Sequence, residues 1–253
     1  MTTSKTGIAC AVAAALCVSL GAQSPDVAID LRAPAPRTEF DGKPDLSGVW
    51  HNVGREGGDG TSEELTLNDV PYATLVDIGA GYRIGLPLQP WAAALKSSRM
   101  KSLRLDHADD RCRLLSNQQF NAHAHPRRIV HAPGLVAIVS DLQQSTRQIF
   151  TDGRPRRTEG THSFSSGYSR GAWQGDTLVV LTTNFRDGGW LDTHGSPLTA
   201  AGRTVERLRR VNAGTLEVEQ TIDDQKAYAR PFTTRLTWRL VTDGEGIDPV
   251  CRP

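Results

Sequence analysis

The chain has 253 residues, 38% of them hydrophobic and 23% charged, with 29 basic and 28 acidic side chains and a formal net charge of +1. That length supports one good-sized core or two small ones. Near-neutrality and the lack of a long basic run remove the electrostatic case for nucleic acid or an anionic membrane surface as partner.

The N-terminus has the pattern of an export signal. Lys5 supplies a positive start, residues 8–20 are apolar and small, and Gly21-Ala22 offers a cleavage site before Gln23. The stretch is too short for a stable membrane anchor. Residues 1–22 are therefore expected to be removed, leaving a secreted or periplasmic protein without Cys10 and Cys17. Of the remaining cysteines, Cys112 and Cys251 most simply form one disulfide in an exported chain, two free thiols being the alternative. Closing so long a loop stabilises by about 4 kcal/mol in the chain-entropy picture. Residues 23–45 hold Pro25, Pro34, Pro36 and Pro44 and predict an extended, loosely packed linker. Residues 46–253 then form a single domain.

Residues 46–50 predict the first strand, and the Gly- and acid-rich stretch at 53–64 a loop. Helical spacing of Trp91, Leu95 and Leu103 after Pro90 predicts a helix over 90–103. From residue 128 the period changes to two. Strands are predicted at 128–131, 135–140, 146–150, 168–173, 177–185, 203–211, 215–222 and 232–240, separated by turn signals such as Pro133-Gly134, Asp152-Gly153, Gly175-Asp176 and Asn212-Ala213-Gly214. The fold class is mostly β: an antiparallel meander of eight or nine strands closing into a barrel, with one or two short helices.

Two segments fix their faces. In 232–240, Phe232, Thr234, Leu236, Trp238 and Leu240 alternate with polar residues and must point inward. In 203–222, a three-residue turn places Arg209 opposite Glu217 and Arg207 opposite Glu219, each favourable by about 0.2–1 kcal/mol. The same register sets Leu208 against Val218 and turns Glu206 and Gln220 inward. An inward carboxylate has to be paired, protonated or beside a wet cavity.

The set Pro44-Asp45-Leu46-Ser47-Gly48-Val49-Trp50, Gly175-Asp176-Thr177-Leu178-Val179-Val180, Val205-Glu206-Arg207, Thr221-Ile222-Asp223-Asp224, Ala227-Tyr228 and Pro231-Phe232 resembles a large family of secreted bacterial proteins without an assigned activity. Its members commonly carry histidine where Tyr168 stands and another near Leu198; this chain has neither. Gly48-Val49-Trp50, with Trp238-Arg239 late in the chain, is similar to the glycine-x-tryptophan signature of lipocalin-like barrels. That likeness implies a barrel holding one small apolar ligand.

Candidate chemistry comes from seven histidines and their polar neighbours. His123 and His125 lie two apart and share a face if the segment is a strand, so they form a candidate metal pair that lacks a third ligand. A second cluster holds His162 and His194 as candidate bases, Tyr168 and Arg154 as candidate polarising groups, and Glu206 and Asp192 as groups that orient a histidine. Asp152 belongs to the same stretch. Trp50, Trp190, Tyr228, Phe232 and Trp238 are candidate ligand walls. No nucleotide-binding glycine loop, nucleophile elbow or haem or iron–sulfur pattern is present, so no cofactor is expected. Two readings follow. One is a cofactor-independent enzyme using acid/base chemistry on a small, largely apolar organic molecule inside the barrel: an isomerase, cyclase, lyase or hydrolase. The other is a non-catalytic periplasmic carrier of a lipid-like ligand.

Overall fold

The computed structural model describes residues 29–54, 78, 85–101, 116–123, 125–140, 145–155 and 163–242. Residues 1–22, the expected export signal, and His162, Cys112 and Cys251 lie outside the described residues. The strands are β1 (Gly48–Gly54), β2 (Arg127–Ala132), β3 (Leu135–Ser140), β4 (Thr146–Phe150), β5 (Tyr168–Gln174), β6 (Thr177–Thr183), β7 (Gly189–Trp190), β8 (Pro197–Leu198), β9 (Arg203–Asn212), β10 (Thr215–Asp223) and β11 (Phe232–Leu240). Two helices, α1 (Pro90–Lys101) and α2 (Asn117–Ala122), accompany them. No described helix is long and apolar enough to cross a membrane.

Nine strands close into a barrel in the order β1-β11-β10-β9-β6-β5-β4-β3-β2. The expected mostly β barrel with two short helices is therefore present, but it is not a pure meander. A closed ring with an odd number of strands cannot have every neighbour antiparallel. The mismatch falls at β4 and β5, which pair in parallel through Ile149↔Ser169 and Phe150↔Arg170. The short pair β7–β8 forms a separate excursion between β6 and β9.

The strand faces follow the period-two pattern. β9 and β10 pair as Arg209↔Glu217, Leu208↔Val218, Arg207↔Glu219 and Glu206↔Gln220. This is the register predicted from charge pairing. It is reached through a tighter turn: Asn212 pairs with Thr215, and the ladder then shifts by one at Val211.

Both ends of the barrel are covered. Residues 31–47 close the end nearest the Ala213-Gly214 turn, so this segment is more firmly held than a loose linker. Ala213 and Gly214 donate their N–H groups to the Ala33 and Leu31 carbonyls at 2.8 and 2.9 Å. Arg37 grips Asp176 with two nitrogens at 3.0 and 2.7 Å. Leu46 is buried in the main core. Arg210 lies 4.9 Å over the Trp50 ring and donates to the Asp45, Ser47 and Ala213 carbonyls. The arginine that covers Trp50 is thus Arg210. Arg239, beside Trp238 in the chain, donates to Thr215.

At the opposite end, α1 begins with Pro90, whose missing N–H costs nothing in a first turn. Trp91 Nε1 donates to the Lys226 carbonyl at 2.8 Å, and Arg99 in the last turn donates to the Gly188, Gly189 and Gly195 carbonyls. Beneath it lies a second apolar cluster containing Phe185, Leu191, Leu198, Ile222, Tyr228 and Phe232.

Gly48 opens β1 at φ +141, and a Cβ there would come within 2.6 Å of Leu240 Cδ1 and 3.3 Å of Trp50 Nε1. Gly48→Ala is expected to destabilise the protein by about 1–3 kcal/mol. Urea unfolding of the two proteins side by side measures it.

Candidate functional site

The feature that organises the interior is α2, a six-residue helix buried on every side within the barrel. Ser116 caps it: Ser116 Oγ accepts from the Gln119 N–H, and Gln119 Oε1 accepts from the Ser116 N–H. The helix runs from the α1 end of the barrel toward the closed end. Asn117 Nδ2 meets Thr204 Oγ1 at 2.6 Å, Asn121 Nδ2 meets Glu206 Oε1 at 2.6 Å, and Trp238 Nε1 reaches the Asn121 carbonyl at 3.2 Å. Asn52 Nδ2 takes the Ala122 carbonyl at 2.6 Å, and Arg127 takes the Asn121 and His123 carbonyls. The barrel wall thereby satisfies the carbonyls that a helix leaves open at its C-terminus.

Beside α2 sits a buried ion pair. Arg147 on β4 holds Glu206 on β9 with two nitrogens: Nη1 donates to Oε1 at 2.8 Å, and Nη2 donates to Oε2. The Glu206 side chain has no exposure and that of Arg147 2%. The pair is extended on both sides. Arg147 Nε and Nη2 donate to Ser169 Oγ at 3.2 and 3.1 Å, and Nη2 to Thr182 Oγ1 at 3.1 Å. Thr182 Oγ1 and Asn117 Nδ2 approach Glu206 Oε2 at 3.4 and 3.5 Å. Both carboxylate oxygens are occupied.

A carboxylate only accepts, so it dictates which way the neighbouring amides face. Asn117 and Asn121 turn their nitrogens to it, leaving both Oδ1 atoms buried without a partner among the described residues. Gln118 Oε1 accepts from Thr234 Oγ1 at 3.3 Å, and Gln119 Oε1 is used in the cap. Their Nε2 atoms are likewise unmatched, and Gln220 has neither its Nε2 nor its Oε1 bonded. Buried polar groups are nearly always satisfied, and each unmet one costs about 1–3 kcal/mol. This concentration of amides is the candidate site.

The residues expected from sequence are dispersed around it. Glu206 is inward and buried, as its register predicts, but Arg147 neutralises it. Tyr168 is not beside Glu206: its neighbour Ser169 faces the interior, so Tyr168 stands on the other face of β5. There its ring lies 5.4 Å from Phe150, and Arg154 covers Phe150 at 3.7 Å while paired with exposed Asp152. Asp192 is buried under α1 and accepts from the Ile78 N–H at 3.0 Å, the Ser196 N–H at 2.9 Å and Ser196 Oγ at 2.6 Å. Burial raises its pKa, and these bonds only partly offset that. His194 and Trp190 belong to the same β7–β8 excursion, where Arg99 lies 4.9 Å over the Trp190 ring.

The expected ligand walls divide between the two cores. Trp50 and Trp238 are in the main core, where Arg127 sits 4.3 Å over Trp238. Tyr228 and Phe232 pack 4.8 Å apart in the second, and Tyr228 Oη donates to the Pro197 carbonyl at 2.7 Å.

His123 and His125 do not share a strand face. His123 is buried at the end of α2, with Ser140 Oγ 3.1 Å from Nε2 and Arg127 Nη2 3.3 Å from Nδ1; His125 is exposed. Their rings lie 5.9 Å apart. Among the described residues, no three His, Cys, Asp or Glu side chains are grouped to hold a metal ion.

No family model matches this chain. No curated protein and no solved structure matches it either. The geometry therefore carries the functional argument alone.

Arg147 was not foreseen, although its signal was present: it lies two residues before Ile149 on β4 and so shares that residue's inward face. For α2 the one signal was Ser116-x-x-Gln119.

Two outcomes are expected. Arg147→Met leaves an uncompensated buried charge and costs about 3–5 kcal/mol, whereas adding Glu206→Gln to it recovers part of that loss; a double-mutant cycle in urea reads both. His123 is held neutral: burial first, then Arg127 and His125, lower its pKa to about 2. A depressed histidine stabilises the fold above the unfolded pKa, and that stability is lost as pH falls below about 6.5. The raised pKa of Asp192 acts in the opposite sense, so the comparison must be internal. Between pH 7 and 5 the wild type should lose about 2 kcal/mol more than His123→Gln, measured by denaturant unfolding at both pH values.

Proposed function

We propose that this protein is an exported small-molecule-binding barrel, and that its guest is recognised by the polar interior beside α2. The observation that carries this reading is the set of buried amide atoms without partners: Asn117 Oδ1, Gln118 Nε2, Gln119 Nε2, Asn121 Oδ1, and both amide atoms of Gln220. A guest that supplies donors and acceptors offsets an unmet cost of about 1–3 kcal/mol at each. The guest is polar where it meets these groups, in contrast to the apolar ligand expected from the tryptophans.

Acid/base catalysis is the less favoured reading because each candidate base among the described interior residues is engaged. Glu206 is held by Arg147, His123 has Arg127 and Ser140 at its two ring nitrogens, and Asp192 is tied to Ser196 and Ile78. A general base needs a free lone pair aimed at substrate. Tyr168 and Arg154 lie on the outer face and contribute no group to the interior. The compensated Arg147–Glu206 pair and the expected export signal both fit a periplasmic carrier.

Native mass spectrometry of the mature protein purified from its own host tests the reading. A stoichiometric guest mass on the wild type, lost in Gln220→Leu with the circular dichroism unchanged, is the expected result. A wild-type protein of bare polypeptide mass, with ordered waters on the amides in a crystal structure, would overturn it.

A further inference from the structure

We infer that Gln220 is the recognition residue for an uncharged guest with an amide-like edge, a hydrogen-bond donor beside an acceptor, as in a lactam or a primary carboxamide. This rests on the guest-binding reading above and narrows it to one chemical class.

Gln220 differs from the other amides in having both polar atoms unmet. Its strand neighbours explain why. Across the ladder it pairs with Glu206 on β9 and Thr234 on β11. Neither meets the Gln220 side-chain amide: Glu206 is taken by Arg147, Asn117 and Asn121, and Thr234 Oγ1 lies 3.3 Å from Gln118 Oε1 and 3.5 Å from the Gln220 backbone carbonyl. Gln220 is left, fully buried, between two neighbours already occupied.

A primary amide in that state presents one N–H donor and one carbonyl acceptor in a single plane. The complement is a planar edge with the same two functions in reverse order, the pairing by which glutamine reads an adenine edge in two bonds. A lone hydroxyl or ether meets only half of it. Gln118, bonded to the same Thr234, adds one spare donor. Asn117 and Asn121, bonded to Glu206, add spare acceptors for a second polar substituent.

Charge sets the other restriction. The Glu206 carboxylate is compensated by Arg147, so the surroundings of Gln220 carry no net charge from that pair. Neither member of that pair is free to act as counter-ion to a charged guest. A neutral guest needs none.

Saturation-transfer NMR on the full mature protein provides the test, with δ-valerolactam, N-methyl-δ-valerolactam and δ-valerolactone as probes. The two analogues keep the carbonyl and lack the donor. The lactam should bind about tenfold more tightly than either, because each analogue leaves a buried acceptor unmet. Gln220→Met should abolish the preference, while Arg154→Ala on the outer face should leave it intact. If Gln220→Met does not fold, the wild-type ranking decides.

Equal binding of all three probes would overturn the inference. So would a charged guest found on the protein from its host, an outcome that leaves the binding reading standing. Absence of both probe binding and a native guest would remove the two together.

Discussion

The interior depends on one interaction, the two-nitrogen grip of Arg147 on Glu206. Taking both ions out of water costs several kcal/mol each, and Coulomb attraction alone does not return it. The remaining bonds do: Asn121, Asn117 and Thr182 surround the carboxylate, and Ser169 and Thr182 accept from the guanidinium. Such a pair is weak evidence for stability and stronger evidence for arrangement. It joins β4 to β9 across the barrel and holds α2 by two of its six residues. It also fixes the sense of both asparagine amides, since neither can turn its oxygen toward the carboxylate. The spare acceptors of the site are therefore a consequence of the ion pair.

The strand count has a matching consequence. Nine strands close only if one neighbouring pair is parallel, and that pair is β4–β5. β4 carries Arg147 and β5 carries Ser169, so the parallel step brings the arginine and the hydroxyl that receives it to the same level. The end covers are separate structures: residues 31–47 with Arg210 at one end, and α1 with the Asp192 and Arg99 contacts at the other. Neither supplies an atom to the Arg147–Glu206 network. The second core and the α2 site are distinct pieces of architecture.

Much of this was legible in residues whose choices reinforce each other. The register of β9 and β10 follows from Arg207, Arg209, Glu217 and Glu219, because a slip by one residue would set a leucine against a glutamate. β11 reads directly from its alternation. α2 was not legible, because Asn-Gln-Gln-Phe-Asn-Ala has no apolar stripe; the helix is surrounded by barrel on all sides and needs polar groups where the wall is polar. Tyr168 is grouped with Glu206 in the sequence because turns and strand ends carry most of that cluster, but this does not decide which face a strand residue takes. The chain order of its neighbours does: Ile149 is inward, Ser169 pairs with it, and Tyr168 must then point out. The motifs that carried the family resemblance have structural duties here. Leu46 and Trp50 build the closed end, Gly175-Asp176 makes a turn that Arg37 grips, and Asp224 accepts from Thr199, Lys226 and Ala227 to shape the loop before β11.

The balance between proton transfer and binding turns on what is left over. A catalytic carboxylate has to keep a lone pair for substrate, and its partners are then few and one-sided. Glu206 has the opposite environment, with donors on both oxygens from three different elements: α2, β4 and β6. The unmet capacity has been displaced from the charged group onto neutral amides around it. Neutral amides are poor acids and bases but accurate readers of shape and hydrogen-bond sense. A barrel that satisfies both members of its Arg147–Glu206 pair and leaves the amides around it open fits the proposed recognition role, with Gln220 foremost among those amides.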